Sequence, residues 1–189
     1  MARVAFIMDD LFEDSEFRVP YDRLKAAGHE VVVVGLEKGK QVTGKKQRER
    51  IAIERAADEV SAEDFDALVI PGGYSPDHLR GSLPMVKLTR DMCVAEKPVA
   101  AVCHGPWMLV EADVLDGKTV TSWPTIRTDL INAGARWVDR EVVEDENLVT
   151  SRKPADLEAF SAAILRHLEQ RTGERERAAQ GDATSAPLH

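Results

Sequence analysis

"KPVAAVCHGPWML", residues 97–109, decides the fold. Residues 98–102 carry no polar side chain, which marks a strand buried on both faces, as in a parallel sheet flanked by helices. The run ends at Cys103, and the pattern predicts a helix directly after it, over residues 104–114. Chemistry in open α/β sheets gathers at the carboxyl ends of strands. Taken alone, Cys103 reads as a buried filler, a metal ligand or a nucleophile. Its neighbours favour the nucleophile. Ala101-Val102-Cys103-His104-Gly105 has the small-x-nucleophile-x-small form of a sharp strand-to-helix elbow, where the doubling backbone needs small residues on either side. A cysteine at the amino end of a helix is expected to ionise well below ~8.5, because the helix dipole and free N–H groups favour the thiolate. The His104 N–H is then placed to hold an oxyanion.

Outward from this segment the chain alternates. Residues 2–8, 29–36 and 66–73 repeat the apolar, strand-length pattern. Helical stretches lie between the strands, at 14–27 with Pro20 inside it and Gly28 as its stop, and at 84–96 with Pro84 near its start. Further on come a strand at 118–122, a helix at 124–134, a strand pair within 136–151 and a last amphipathic helix at 154–170. Alternating strands and helices define a doubly wound α/β fold with a mostly parallel sheet. One domain is expected over residues 1–170. Residues 171–189, "RTGERERAAQGDATSAPLH", read as a frayed helix and polar, flexible tail. The basic stretch 37–50 reads as a solvated loop or edge hairpin and is assigned no function.

Composition narrows the classes. The 189 residues are 43% hydrophobic and 31% charged, with a net charge of −8. That balance disfavours nucleic acid and anionic membranes as partners. No apolar run is long enough to span a bilayer, and no signal peptide is apparent, so a cytoplasmic location is expected. Two cysteines, Cys93 and Cys103, make no disulfide framework, and zinc spacings are absent. Cys93, inside a helix, is read as core packing. A second motif, Pro71-Gly72-Gly73, is a tight turn after another buried strand. Its amides are candidates for the second oxyanion donor, although Pro-Gly-Gly is also ordinary turn chemistry.

With "FEDSEF", "DALVIPGGYSPDHLR", "KPVAAVCHGPWML", "TSWPTIRTDLINAGARWVDREVV" and "LVTSRKPADLEAF" in view, the chain resembles PfpI-type intracellular proteases and general stress proteins, in the superfamily of the Parkinson-associated protein deglycase. The resemblance implies a flavodoxin-like sandwich, a homodimer or higher homo-oligomer, and no cofactor or metal. It implies Cys103 as nucleophile, His104 beside it, Gly73 as oxyanion amide and Glu16 as a protonated acid against the sulfur, with Glu13 the next candidate. Without the resemblance, both acids read as ordinary helix N-terminal carboxylates. Asp77 stands where archaeal proteases of the family carry a glutamate that reaches the Cys-His pair of an adjacent subunit. The aspartate is one methylene shorter.

His167-Leu168-Glu169 has the His-x-Glu form that completes glutamine amidotransferase triads, but an amphipathic final helix accounts for it better. Two function classes follow from the resemblance. One is a cysteine enzyme acting on peptides, damaged or glycated proteins, or small carbonyl compounds. The other is a redox-sensing or chaperone-like stress protein whose Cys103 is oxidised without turnover.

Overall fold

The computed structural model describes residues 1–183. Seven strands form one sheet in the order β10-β11-β7-β6-β1-β2-β5. The elements are β1 (Arg3–Ile7), α1 (Asp14–Ala26), β2 (Glu30–Gly35), β3 (Gln41–Thr43), β4 (Arg50–Ala52), β5 (Arg55–Ala56), β6 (Ala67–Ile70), α2 (Ser75–Leu79), α3 (Leu83–Val94), β7 (Val99–Val102), α4 (Trp107–Glu111), β8 (Thr119–Val120), α5 (Arg127–Asn132), β9 (Arg136–Trp137), β10 (Val142–Asp145), β11 (Leu148–Ser151) and α6 (Leu157–Ala183). All pairings in the main sheet are parallel except β10 with β11.

The continuous apolar runs are explained by two separate cores. Val4 and Phe6 of β1, Val69 of β6 and Val102 of β7 pack on one face against Phe17, Phe160 and Ile164 of α1 and α6. Ala5, Ile7, Ile70 and Ala101 alternate to the other face, against Leu88, Met92 and Met108 of α3 and α4. Period-two alternation with both faces apolar is what a strand covered on two sides requires. This is the doubly wound, flavodoxin-like arrangement.

The chain leaves β1 towards β2, then returns to β6 on β1's other side. The loops after β1 and β6 therefore diverge at a topological switch point, and their carboxyl ends open a crevice. Segment 11–13 lies across it. Phe12 bridges Gly73, the Tyr74 N–H donates to Leu11 O (2.9 Å), and the Glu13 N–H donates to Gly72 O (3.2 Å).

Two elements differ from the sequence reading. The helix predicted from residue 104 begins as a regular helix only at Trp107 and has five residues. Residues 103–106 form tight turns instead, with the Gly105 N–H on Val102 O (2.8 Å) and the Trp107 N–H on His104 O (3.0 Å). Pro106 has no N–H to give to a helical ladder. At the other end, α6 stays helical to Ala183, past the predicted fraying at residue 171. The rest of the predicted tail, residues 184–189, lies outside the described residues. Among the described residues no helix is long and apolar enough to cross a membrane.

Candidate active site

Cys103 follows β7 with φ of 62°, a left-handed conformation that a non-glycine residue adopts only under constraint. The constraint is visible. The Cys103 N–H donates to Ser151 O of β11, and Cys103 O accepts from the Trp123 N–H, both at 3.0 Å. Gly105 completes the elbow. A Cβ there would run into the Ile70 carbonyl oxygen and would lie 2.9 Å from Val102 O and 3.0 Å from Val102 N. These are backbone atoms of two central strands and cannot yield cheaply. Gly105→Ala is therefore expected to destabilise the fold by about 1–3 kcal/mol and to displace Cys103. A urea melt superimposable on wild type, with unchanged Cys103 alkylation, would refute that.

Gly72 brings the site together. A methyl at this position would sit 2.6 Å from Glu16 Oε2, 2.8 Å from Cys103 Cβ and 2.9 Å from His104 N. Only a glycine lets these three groups converge. The Gly72 N–H donates to Glu16 Oε2 at 2.8 Å. The Gly73 and His104 amides both donate towards the Cys103 sulfur. Gly73 itself has φ of 78°, the region glycine enters without strain. The two amides expected to hold an oxyanion thus both lie at the sulfur.

Glu16 is fully buried, and its Oε1 has no conventional hydrogen-bond partner. Burial pushes its pKa up to about 8, outweighing the Gly72 amide, while the nearby Glu13 charge raises it further. Glu16 is consequently a neutral carboxylic acid at pH 7, with a proton to donate and the Cys103 thiol as its hydrogen-bonding neighbour. Glu13 behaves differently. It is equally buried, yet Lys45 Nζ at 2.8 Å and Lys46 Nζ at 2.6 Å outweigh the burial and hold its pKa below the usual carboxylate range. The sequence treats the two acids alike. Their neighbours give one a proton and the other a charge.

Enclosure works against the low-pKa thiol expected from the helix position. Burial pushes the Cys103 thiol up, and the Gly73 and His104 amides pull it the other way. The elbow is enclosed, with Cys103 only 7% exposed, and the helix after it is short, which limits what the dipole contributes. The thiol therefore needs a base. His104 Nδ1 lies 3.3 Å from Cys103 Sγ. Burial, and then the charge of Lys45, keep the His104 pKa below its ordinary value, so the ring is neutral and free to accept.

The other ring nitrogen of His104, Nε2, faces Thr125 Oγ1 at 3.4 Å, and Trp107 meets the ring edge-on at 5.2 Å. Among the described residues no carboxylate of this chain bonds to His104. Asp77, at the start of α2, is exposed to solvent. His167 pairs with Glu144 at 3.0 Å on the α6 side, which leaves the amidotransferase reading without a site. Cys93 packs against the second core, and burial pushes its thiol up to about 12. A cavity of about 640 Å³ runs along α3 between Ala57, Leu83, Lys87 and Glu111, away from all of these groups.

Lys45 is the residue that sequence reasoning missed. Residues 41–52 do form an edge hairpin, β3 with β4. Its turn folds back onto the site because Asp14 accepts the N–H groups of Lys46 (2.9 Å), Arg48 (2.8 Å) and Glu49 (2.9 Å). A turn rich in lysine and arginine, in a chain whose first helix starts with Glu13, Asp14 and Glu16, was the available signal.

Fold and site together define a flavodoxin-like α/β protein with a cysteine at a strained strand-end elbow, backed by a buried carboxylic acid. The profile of the DJ-1/PfpI family matches residues 2–167, and the chain belongs to that family. It is 48% identical over 167 residues to "Protein/nucleic acid deglycase 2" of Escherichia coli, covering 88% of this chain and 97% of that protein. It is 45% identical to "General stress protein 18" of Bacillus subtilis, covering 89% and 98% respectively. The crystal structure of Drosophila melanogaster DJ-1beta superposes with a TM-score of 0.81 at 31% identity, over 88% of this chain and 89% of that one.

Proposed function

We propose that this protein is a cysteine enzyme acting on carbonyl groups, with reactive aldehydes and the glycated groups they form as first-choice substrates and peptides as the wider class. The observation that carries the reading is the Cys103 sulfur, held at a strained elbow, facing two amides, a neutral acid and a neutral imidazole. A deglycase among the relatives supports the substrate class.

The chemistry starts from the thiol. His104 Nδ1 takes the Cys103 proton as sulfur attacks the aldehyde carbon, and the carbonyl π pair moves onto oxygen. The Gly73 and His104 N–H groups hold that oxyanion, and Glu16 donates its hydrogen bond to sulfur. With a 2-oxoaldehyde, proton transfer from the first carbon to the second gives a thioester. Water then cleaves it to a 2-hydroxy acid and regenerates the thiol. No oxidant or reductant is consumed.

Turnover of methylglyoxal to lactate, and release of amines from glycated peptides, test the reading on purified protein. Cys103→Ala is expected to lose at least about a thousandfold in kcat/KM, the scale set by removal of a covalent nucleophile. Equal activity in wild type and Cys103→Ala would end it. A second reading has its own observation, the unpartnered Oε1 of Glu16, which is suited to donate to an oxygen added to the sulfur. Peroxide-dependent mass gain at Cys103 with no turnover of any carbonyl compound favours it.

The site belongs to a homodimer in this proposal, with Asp77 of one protomer orienting His104 of the other. The empty acid position at His104, the exposure of Asp77, and the exposed Tyr74 and Leu11 beside the elbow support it. A cytoplasmic location is part of the same reading, supported by two free cysteines.

A further inference from the structure

A thiol has one proton to give, and most of what surrounds the Cys103 sulfur is there to donate. The Gly73 and His104 amides point at it. Glu16 bonds to the same side chain. Glu16 Oε2 accepts from the Gly72 N–H at 2.8 Å, so the carboxylic proton belongs on Oε1, the oxygen with no conventional partner. Among the described residues, His104 Nδ1 at 3.3 Å is what remains to accept from the sulfur.

A neutral imidazole with a bare Nδ1 carries its proton on Nε2. Which nitrogen holds the proton is set by the hydrogen bond that the other one makes. Nε2 faces Thr125 Oγ1 at 3.4 Å. A hydroxyl either donates or accepts, and the donors gathered at the sulfur decide the matter: Nε2–H donates and Thr125 Oγ1 accepts.

Thr125 is exposed, but its place is fixed. It lies in the short turn Pro124–Ile126. Just before the turn, the Trp123 N–H donates to Cys103 O at 3.0 Å, and the Ile126 N–H closes back on Trp123 O at 3.2 Å. Ile126 is buried in the second core. The turn runs into α5, where Asp129 accepts the Trp107 indole N–H at 2.8 Å. Trp107 in turn packs edge-on against the His104 ring. One segment therefore holds the elbow by its carbonyl, the imidazole by its far nitrogen and the aromatic wall beside it.

We propose that Thr125 is a positioning residue: its hydroxyl accepts the Nε2–H of His104 and so fixes the tautomer whose Nδ1 takes the Cys103 proton. The proposal rests on the reading of His104 as the base for Cys103, and it adds the group that keeps that base in its working form. As sulfur attacks, the S–H bond breaks and its proton passes to Nδ1. The ring is then an imidazolium, and the Nε2–H bond to Thr125 strengthens with the charge. The proton returns from Nδ1 when the thiol is regenerated. Thr125 still has its own O–H to give, which a carboxylate from a second subunit can accept.

The test reads the tautomer directly. Histidine labelled with nitrogen-15 shows by NMR whether each ring nitrogen is bare or protonated, and the His104 signals are assigned by their loss in His104→Asn. At pH 7 wild type is expected to show Nδ1 bare and Nε2 protonated. Thr125→Val keeps the shape and removes the hydroxyl. It is expected to raise the share protonated on Nδ1 and to slow alkylation of Cys103 by iodoacetamide about fivefold, the scale of one neutral hydrogen bond. Thr125→Ser should restore both. A wild-type His104 protonated on Nδ1 overturns the proposal, and that result needs no variant to fold. A wild-type spectrum and rate in Thr125→Val also overturn it and leave an acid alone to orient the ring. Equal losses in Thr125→Val and Thr125→Ser overturn it too, because the hydroxyl is then not what matters. If all readings come out as expected while wild type turns over no carbonyl compound, the enzymatic reading fails and the assignment of Thr125 stands. If methylglyoxal turns over and the spectrum ignores Thr125, only the present inference fails.

Discussion

Two inactive variants, Cys103→Ala and Asp77→Ala, are expected to regain activity when mixed and allowed to exchange subunits. The reasoning is geometric. Within one chain His104 has sulfur on one nitrogen and the Thr125 hydroxyl on the other, and no carboxylate of the described residues reaches it. An imidazole that must take a proton and return it works best when its far nitrogen is anchored by an acid. In a two-fold dimer each contact occurs twice. A heterodimer of the variants then contains one site with Cys103 from one chain and Asp77 from the other, both intact. Its second site carries both lesions. Free exchange at equal amounts makes about half the dimers mixed, with one good site each, so about a quarter of wild-type activity should return. An acid working in cis leaves every site with one lesion, and mixing restores nothing. An Asp77 that merely starts α2 leaves Asp77→Ala active before mixing. Exchange is verified first with two differently tagged chains.

Glu16→Gln is expected to change both stability and rate in a pH-dependent way. The Glu16 pKa is raised by folding, from 4.5 to about 8. The native state therefore keeps a proton that the unfolded chain has released. Its contribution to stability is complete below pH 4.5 and is lost as pH rises towards 8. By pH 7 the loss is about 3 kcal/mol. Glutamine is neutral at every pH, accepts from the Gly72 N–H and still offers a donor to sulfur. It should match wild type near pH 4 and exceed it in denaturant stability by up to about 3 kcal/mol at pH 7. The rate follows the same group. Above pH 8 an ionised Glu16 stands against the developing thiolate and slows attack, whereas on the acid side a protonated His104 cannot accept. Wild type should show a bell with its alkaline limb near 8, and Glu16→Gln should lack that limb. Parallel stability curves and identical pH–rate profiles in the two proteins would contradict the assignment.

Much of this was legible in the sequence for definite reasons. The strands declare themselves because both sheet faces are covered, so that Val4 through Ile7 and Val99 through Val102 have no polar alternation to hide. The elbow is legible because backbone crowding at Gly105 and Gly72 admits no other residue. Electrostatics were not. Glu13 and Glu16 lie three residues apart on the same helix start, and only the tertiary neighbours, two lysines against one amide, divide charged from neutral. The surroundings of the thiol are hidden in the sequence for a related reason. A helix dipole is a local, readable feature, whereas the enclosure that opposes it comes from the strand β11 carbonyl, the Trp123 amide and the Gly72 turn, all distant in sequence. Lys45 escaped because a basic run normally points to solvent. What turns it inward is Asp14 acting as an acceptor for another segment's backbone rather than for its own helix.

The left-handed backbone at Cys103 has an evolutionary reading. At φ of 62° a glycine would sit without strain, so the cysteine is held at a cost of about 1 kcal/mol or more. A lineage selected only for a sturdier fold would drift towards glycine at this position and lose the thiol in the same step. Stability and chemistry thus pull on one codon in opposite directions. If the proposed reaction is what selection maintains, a cysteine at this strained position marks it, which makes residue 103 the place to look when asking whether a related chain still carries out chemistry or has kept only the scaffold.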